Sequence, residues 1–266
     1  MRMPTLAAFT VAATALLGAT SAFAIPTSCY GGVCVPSTGA YIDNSKSWES
    51  LVTSTGNVLT GILKVTDISD NLANSTYAYG QGGYFLTGVF DGFTLIDPAT
   101  SPGHLLFTGG TLKYYVSTTD VFNVNGGGAS NDVAAITAGQ LWASFIAAPD
   151  INGHTLDITL NGTPTNFTGA STNDVFLDVD LANLGLAGLA FNSNTMFDTN
   201  SIFRDLKFSG NASGYNGTPC SPDFPICGSN SAKGFLIPVP EPVTLSLFGA
   251  GLAGAAALRR RKAKKA

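Results

Sequence analysis

The chain has 266 residues, of which 11 % are charged and 100 are Ser, Thr, Asn or Gly. This composition favours a turn-rich β protein and excludes coiled coils and helical bundles, which need abundant Glu, Lys, Arg and Leu. Residues 25–238 include six basic and 16 acidic residues, so this body carries a net charge of −10 and is not expected to bind nucleic acid.

The first 24 residues have the pattern of a secretory signal peptide. Arg2 supplies a positive start, and residues 6–17 are apolar and uncharged. Ala22 and Ala24 form a small-x-small cleavage site, which predicts cleavage by signal peptidase and a mature start near Ile25. The alternative is an uncleaved membrane anchor, but the apolar run is short for a span of about 20 residues.

The body from residue 25 to residue 210 reads as short strands separated by Gly, Asn, Asp and Pro. Residues 25–50 form a loop-rich lead, and residues 45–54 are a weak helix candidate. Apolar periodicity predicts strands at 58–67, 84–90, 93–96, 105–116, 141–146, 154–160, 175–181 and 202–208. Gly109-Gly110 predicts a hairpin turn or a bulge, and residues 181–190 a short helix or a loop.

This succession of strands predicts the fold class. Short strands with a turn about every 8–15 residues indicate a single all-β domain, an antiparallel β-sandwich of Greek-key or jelly-roll type. Crossover helices of βαβ spacing are missing, which disfavours a parallel α/β sheet. Residues 211–238 are rich in Gly, Pro and Ser and predict an extended tether.

Four cysteines lie in the exported body, and their even number predicts two disulfides. Cys29 and Cys34 flank Gly31-Gly32, while Cys220 and Cys227 flank a stretch that contains Pro222 and Pro225. These tight turns favour the local pairs Cys29–Cys34 and Cys220–Cys227. Cross-pairing between the two ends stays open, because longer closed loops stabilise more in the chain-entropy model. A zinc site is disfavoured because the C-x2-C spacing is absent.

The C-terminal segment, residues 239–266, has three parts in order. Pro240, Glu241 and Pro242 come first, in a stretch where proline bars helix and keeps the backbone extended. Residues 243–258 follow without a charge. Six basic residues then end the chain, beginning with Arg259, Arg260 and Arg261. The positive-inside rule predicts that this basic end stays cytoplasmic while the body is exported.

This ordered triad resembles the PEP-CTERM sorting signal of Gram-negative bacteria, within the last 28 residues of the chain. The resemblance implies that an exosortase, a membrane enzyme with a cysteine nucleophile, recognises and removes the tail. It also implies an exopolysaccharide-producing host and a destination at the cell surface or in a biofilm or floc matrix. Until processing, residues 243–258 would hold the protein transiently in the inner membrane.

Few side chains in the body suit catalysis. His104 and His154 each follow a Gly in a turn sequence, and no Gly-x-Ser-x-Gly nucleophile motif is present. Asp178 and Asp180 are the best carboxylate pair for a glycosidase, because residues two apart share a strand face. That face points away from the neighbouring apolar residues. We therefore expect both carboxylates to be solvated and ionised, and we expect no catalytic residue.

Oxygen-rich segments allow a structural calcium ion, which is the one cofactor that we consider. The segments contain Asp67, Asp70 and Asn71 in one case and Asp174, Asp178 and Asp180 in the other. Neither matches an EF-hand loop or a calcium-binding glycine-rich repeat, and Asp that forms turns is the favoured interpretation. We therefore expect no metal site.

Aromatic residues suggest a glycan-binding segment. Tyr77, Tyr79 and Tyr84 lie in a glycine-rich stretch that could leave their rings exposed for stacking on sugars. Core packing is the competing interpretation for each of them.

We therefore expect an exported, non-enzymatic protein of the cell surface or extracellular matrix, with a structural or adhesive role and exopolysaccharide as its partner. One alternative is an extracellular polysaccharide-active hydrolase that uses Asp178 and Asp180. Another is a protein that stays anchored in the membrane.

Overall fold

The computed structural model describes residues 27–37, 39–97, 103–122, 129–172, 175–198, 200–217, 219–221 and 224–237. The predicted signal peptide, including Ala22 and Ala24, and the predicted sorting signal, including Pro240–Pro242 and Arg259–Arg261, lie outside these residues. Within the described ranges, none of the helices has the length and apolarity needed to cross a membrane.

Strands dominate the structure. The helices of the described residues are α1 (Ala129–Thr137) and α2 (Gly188–Phe191), with a 3₁₀ turn at Gln81–Gly83. The strands are β1 (Thr27–Tyr30), β2 (Val33–Pro36), β3 (Gly39–Glu49), β4 (Val58–Ser69), β5 (Ser75–Ala78), β6 (Phe85–Asp97), β7 (His104–Thr108), β8 (Thr111–Ser117), β9 (Gln140–Ala147), β10 (Leu156–Thr163), β11 (Asn166–Thr172), β12 (Val175–Val179), β13 (Met196–Phe197), β14 (Phe203–Arg204), β15 (Leu206–Tyr215) and β16 (Ile226–Leu236).

The large antiparallel sheet closes on itself. β3 pairs with β4, β4 with β6, β6 with both β7 and β8, and β15 with β16. β16 then pairs with β3 along the whole length of both strands. β8 pairs with β9, β9 with β12 and β12 with β15. The ring formed by the described strands therefore has eight positions, which follow one another in chain order.

Three of the eight positions hold two collinear strands. β7 and β8 pair with successive parts of β6, and the positive-φ residues Gly109 and Gly110 separate them. In the same way β9 and β10 share one position, and β11 and β12 share the next. Gly109-Gly110 is therefore an interruption within one long strand, and not a hairpin turn.

The prediction of an all-β antiparallel fold is confirmed. The connection order differs from the predicted Greek-key or jelly-roll type, because neighbouring positions in the ring are also neighbours along the chain. Short strands with frequent turns occur in both arrangements. The alternation pattern therefore predicts strands but does not distinguish the order in which they pair.

The prediction of a tether over residues 211–238 is wrong for its described part, because β15 runs to Tyr215 and β16 closes the ring. The inward positions of β16 carry few large apolar residues, so its sequence does not look like a strand. At Gly228, an added Cβ would lie 2.6 Å from the Ser47 hydroxyl and 2.7 Å from the Asn211 carbonyl oxygen. The close approach of neighbouring strands requires glycine there.

The N-terminal lead also differs from its prediction. Residues 45–54 were expected as a weak helix, but β3 occupies residues 39–49. Three of its four inward side chains are polar, so its sequence lacks the apolar alternation typical of a strand. The four residues are Tyr41, Asp43, Ser45 and Ser47. Residues 181–190 are predicted as a short helix or a loop. The structure has the four-residue helix α2 at the end of this region.

Both disulfides have the predicted local pairing. Cys29–Cys34 joins β1 to β2, which form a hairpin. Cys220–Cys227 joins the first residues of β16 to the segment before it. The turn between β1 and β2 uses positive φ at Gly31 and Gly32.

The main apolar core lies inside the ring. Trp142 is fully buried, stands edge-on to Tyr114 and Phe191, and donates its indole N–H to the Tyr30 carbonyl oxygen at 3.0 Å. A second, smaller cluster lies outside the sheet, where Ile136 of α1 and Phe224 bury Ile62. The interior is thus packed with side chains.

Candidate functional site

The predicted glycan-binding tyrosines do not form an exposed aromatic platform. Tyr77 is only 1 % exposed, and its hydroxyl donates to the Tyr84 carbonyl oxygen at 3.1 Å and accepts from the Leu86 N–H at 2.8 Å. The stacking prediction is therefore wrong for Tyr77. The hydroxyl of this residue ties the glycine-rich loop to β6.

Tyr79 and Tyr84 are half-buried and already have partners. The Lys64 ammonium lies 4.1 Å from the centre of the Tyr79 ring, and the Tyr79 hydroxyl donates to Asp120 at 2.7 Å. Tyr84 packs against the main core and lies over Gly32. Stacking of the Tyr79 and Tyr84 rings on a sugar stays a prediction, and the sugar would have to compete with these contacts.

Asp178 and Asp180 do not share a solvated face, so that prediction is wrong. Asp178 accepts from the Arg204 guanidinium at 2.7 Å and is 39 % exposed. Partial burial raises its pKa although Arg204 favours the ionised form. Asp180 is buried, and a hydrogen bond from the Asn183 side chain, with others from the Ala182 N–H and the Ser144 hydroxyl, lowers its pKa. Each carboxylate has a structural role.

Arg204 also binds the buried Asp198 at 3.0 Å. Burial tends to raise the pKa of Asp198, but the Ile202 N–H and Arg204 outweigh that effect and lower it. This ion-pair cluster fixes the segment between α2 and β15. The cation that could assist chemistry at Asp178 is therefore shared between two carboxylates.

The two histidines lie near aspartates at strand edges. His104 Nδ1 is 2.9 Å from Asp157 Oδ1, and His154 Nδ1 is 3.6 Å from Asp150 Oδ2. The His104–Asp157 contact joins the paired strands β7 and β10, and the His154–Asp150 contact lies within one turn.

The segments considered for calcium are used in turns where the structure describes them. The Asp70 carboxylate accepts from the Leu72 N–H at 2.8 Å and from both the N–H and the side chain of Asn74. Asp174 lies outside the described residues. Among the residues that are described, no group of three or more His, Cys, Asp or Glu side chains converges on one point.

A buried carboxylate stands inside the ring. Asp43 is fully buried and accepts from the Tyr41 hydroxyl at 2.8 Å, the Tyr114 hydroxyl at 3.0 Å and the Ala232 N–H at 3.1 Å. Loss of hydration raises its pKa to about 6, although these three donors favour the ionised form. Burial also raises the pKa of both tyrosines. The network joins β3, β8 and β16 across the interior.

Neither of two cavities between the described strands has room for a sugar. Two cavities of about 30 and 40 Å³ lie inside the ring, next to Glu49 and the buried Asn230. An apolar cavity that holds one benzene molecule is about 150 Å³. A sugar ring would therefore have to bind on the outside of the sheet.

The outside of the sheet carries a larger, open groove of about 420 Å³ across β15, β16, β3 and β4. We call it the polar groove; its outward residues are Asn44, Lys46, Thr66, Ser209, Asn211, Ser229 and Ser231. A bulge at Thr66 shapes it, since the Thr66 hydroxyl donates to the Asn44 carbonyl oxygen at 2.9 Å. Short hydroxyl and amide side chains line an accessible surface that spans four strands.

Neither Asp43 nor the polar groove is apparent from the sequence. No sequence pattern around Asp43 indicates that its side chain is buried. Asn211, Ser229 and Ser231 lie in the segment predicted as a tether, Lys46 in the weak helix candidate, and Thr66 in a predicted strand. Only the pairing of β16 with β3 and β15 brings them together.

Comparison with known proteins identifies the C-terminal segment. Residues 238–262 match the model of the PEP-CTERM protein-sorting motif. A search of curated proteins and a search of solved structures each found no match. The chain therefore carries a PEP-CTERM protein-sorting motif, which marks it as an exported exosortase substrate with a destination at the cell surface or outside the cell.

Proposed function

We propose that this protein is a non-enzymatic, structural or adhesive component of the cell surface or extracellular matrix that is retained on exopolysaccharide. The polar groove is the observation that supports this most directly. Its hydroxyl and amide groups can exchange hydrogen bonds with sugar hydroxyls, and it lies on a chain with a surface-sorting motif.

The side chains considered for catalysis support a non-enzymatic role. Asp178 is paired with Arg204, and Asp180 caps the turn after β12. A glycosidase needs one carboxylic acid and one carboxylate that both reach the scissile bond. Asp178 and Asp180 suit general acid and base catalysis poorly, because one forms an ion pair and the other stabilises a turn.

The test is retention of the exported protein on the polysaccharide of its own host, measured by co-sedimentation while reducing ends are followed. We expect retention without new reducing ends. Ser229→Tyr should weaken retention because a large ring fills the polar groove. Gln140→Tyr is the matched control, since Gln140 is an exposed polar residue on β9, away from the groove.

The same assay can overturn the proposal. New reducing ends that disappear in Asp178→Asn or Asp180→Asn would establish the hydrolase alternative. Absence of both cleavage and retention would refute polysaccharide as the partner. Equal loss in Ser229→Tyr and Gln140→Tyr would show that retention does not depend on the groove.

A further inference from the structure

The basic residues of this acidic body are unevenly distributed. Four of its six basic residues lie on the outward side of β15, β16, β3 and β4: Lys207, Lys233, Lys46 and Lys64. Lys46 and Lys233 are exposed and alternate along their strands with buried residues. We call this surface the lysine face. The polar groove forms its centre.

The four lysines form two pairs of like charge. Lys207 is the direct cross-strand neighbour of Lys233, and Lys46 is the direct neighbour of Lys64. Like charges directly opposite each other in a sheet are destabilising. Within the described residues, Lys46, Lys64 and Lys233 form no ion pair with a carboxylate. In the described part of the chain, no ion pair compensates the Lys46–Lys64 repulsion, and an external anion would offset it.

Two further contacts on this face involve an aromatic ring and a carboxylate. Lys64 lies over the Tyr79 ring, whose hydroxyl binds Asp120, and Asp67 accepts from the Asn44 side chain at 2.9 Å. Asp67 follows the groove residue Thr66 and is one carboxylate near this face. The neighbouring outward residues of β15 and β16, Ser209, Asn211, Ser229 and Ser231, are uncharged.

The two pairs stand at opposite ends of the groove. Along β16, Lys233 lies four residues from Ser229, which is the cross-strand neighbour of Lys46. At the rise of a β-strand this separation is about 13 Å. An extended polymer with widely spaced negative charges could meet Lys46 at one end and Lys233 at the other, with hydrogen-bonding groups between them.

We infer that the lysine face is a binding surface for an acidic polysaccharide, one that carries carboxylate groups on some of its sugars. This inference rests on the proposed function and adds to it the charge class of the polymer and the residues that bind it. The lysines supply the attraction, and the polar groove supplies hydrogen bonds to sugar hydroxyls.

An acidic polysaccharide fits this surface better than a nucleic acid does. Duplex DNA carries one charge per about 1.7 Å, and DNA-binding surfaces match it with many Lys and Arg residues. Here four lysines and no arginine are set in a body of net charge −10. The excess negative charge would repel a dense polyanion more strongly than a polymer with sparse carboxylates.

The experiment uses the exported protein recovered from its own cells and three probes: alginate as a polyuronate, dextran as an uncharged glucan, and duplex DNA. We expect retention on alginate that falls as ionic strength rises from about 0.05 to about 0.5 M, because salt screens exposed charges. Dextran and DNA, compared at equal mass, should retain less protein.

A double variant tests the residues. Lys46→Ser with Lys233→Ser removes one lysine from each pair and should lower affinity for alginate roughly tenfold or more. Lys113→Ser is the matched control, because Lys113 lies on β8, outside the face, and its change should matter less than about twofold. Melting temperature checks folding, and it should stay the same or rise in the double variant because two repulsions are removed.

Several results would overturn the inference. Equal retention of the double variant and the wild type on alginate would rule out the lysine face. Stronger binding to DNA than to alginate would make it a nucleic-acid surface. Retention on the host polymer that resists salt and survives the double variant would refute the lysine face while leaving the proposed function intact. Lysine-dependent binding to alginate without retention on the host polymer would refute only the proposed function.

Discussion

At the residue scale, Asp43 is the most unusual group in the described structure. It is fully buried, and its contacts are two tyrosine hydroxyls and one backbone N–H rather than a cation. Neutral donors compensate only part of the hydration that a carboxylate loses on burial. Folding therefore favours the protonated form of Asp43 more than water does, and it raises the pKa from the ordinary 3.8 to about 6.

This raised pKa predicts the pH dependence of stability. Because the folded pKa lies above the unfolded value, the stabilising contribution is complete below about pH 4 and is lost as pH rises through 6. The difference in pKa corresponds to about 3 kcal/mol. Asp43→Asn removes the titration, so its stability relative to the wild type should increase by that order between pH 4 and pH 7. Chemical denaturation at both pH values measures the change.

A matched carboxylate separates this effect from the rest of the protein. Asp91→Asn changes an exposed side chain on β6 and serves as the matched control in the same measurements. Asp70 and Asp180 have lowered pKa values, so their contributions are lost instead as pH falls, equally in every variant. A pH-independent gap between Asp43→Asn and wild type would contradict the prediction.

At the element scale, β16 determines whether the sheet is a ring. It pairs with β15 on one side and with β3 on the other, so it joins the last strand position to the first. The Cys220–Cys227 disulfide lies at the start of this strand. The bond restrains the connection that leads from β15 into the closing strand.

We predict that both disulfides are formed in the exported protein with the local pairing. Non-reducing peptide mapping should recover Cys29 linked to Cys34 and Cys220 linked to Cys227. Replacement of both Cys220 and Cys227 by Ser should lower the free energy of unfolding by about 2–3 kcal/mol, the value for a short closed loop. Free thiols or a cross-linked pair between the two ends would show that the prediction is wrong.

At the scale of the whole molecule, charge separates the body from the sorting segment. The complete chain has a formal net charge of −4, while residues 25–238 have −10, because the basic residues concentrate at the end. Removal of that end therefore makes the protein much more acidic. In this processed form, the positive lysine face would lie on a body that is otherwise strongly negative.

Processing at both ends gives a direct prediction for the exported protein. Its intact mass should correspond to a start near Ile25 and an end near Pro240. Mass spectrometry of the protein from the cell surface or the medium decides this, with protein from an exosortase-deficient strain as the control. An exported form that still contains residues 259–265 would refute removal of the tail.

Sequence patterns alone predicted much of the strand content. The strands at 58–67, 141–146 and 175–181 correspond to β4, β9 and β12, because one face is apolar and packs inside the ring. β3 and β16 were missed since their inward positions hold Asp43, Ser45, Ser47, Gly228 and Asn230. Polar residues and glycine can occupy inward positions of the ring because hydrogen bonds and the close approach of neighbouring strands stabilise them there. These contacts join residues that are far apart in the chain, so local sequence does not indicate them.

The sorting signal and the β class can be recognised without coordinates, because both depend on local patterns. The sorting signal is an ordered run of Pro-Glu-Pro, apolar and basic residues, and the β class follows from a period-two alternation. The sequence also favoured the local disulfides, which need only short turns. The tertiary structure alone decided the ring closure, the burial of Asp43 and Asp180, and the assembly of the lysine face. Each of these depends on strand register between residues far apart in the chain, such as Lys46 opposite Ser229, and register is set by cross-strand packing rather than by local propensity.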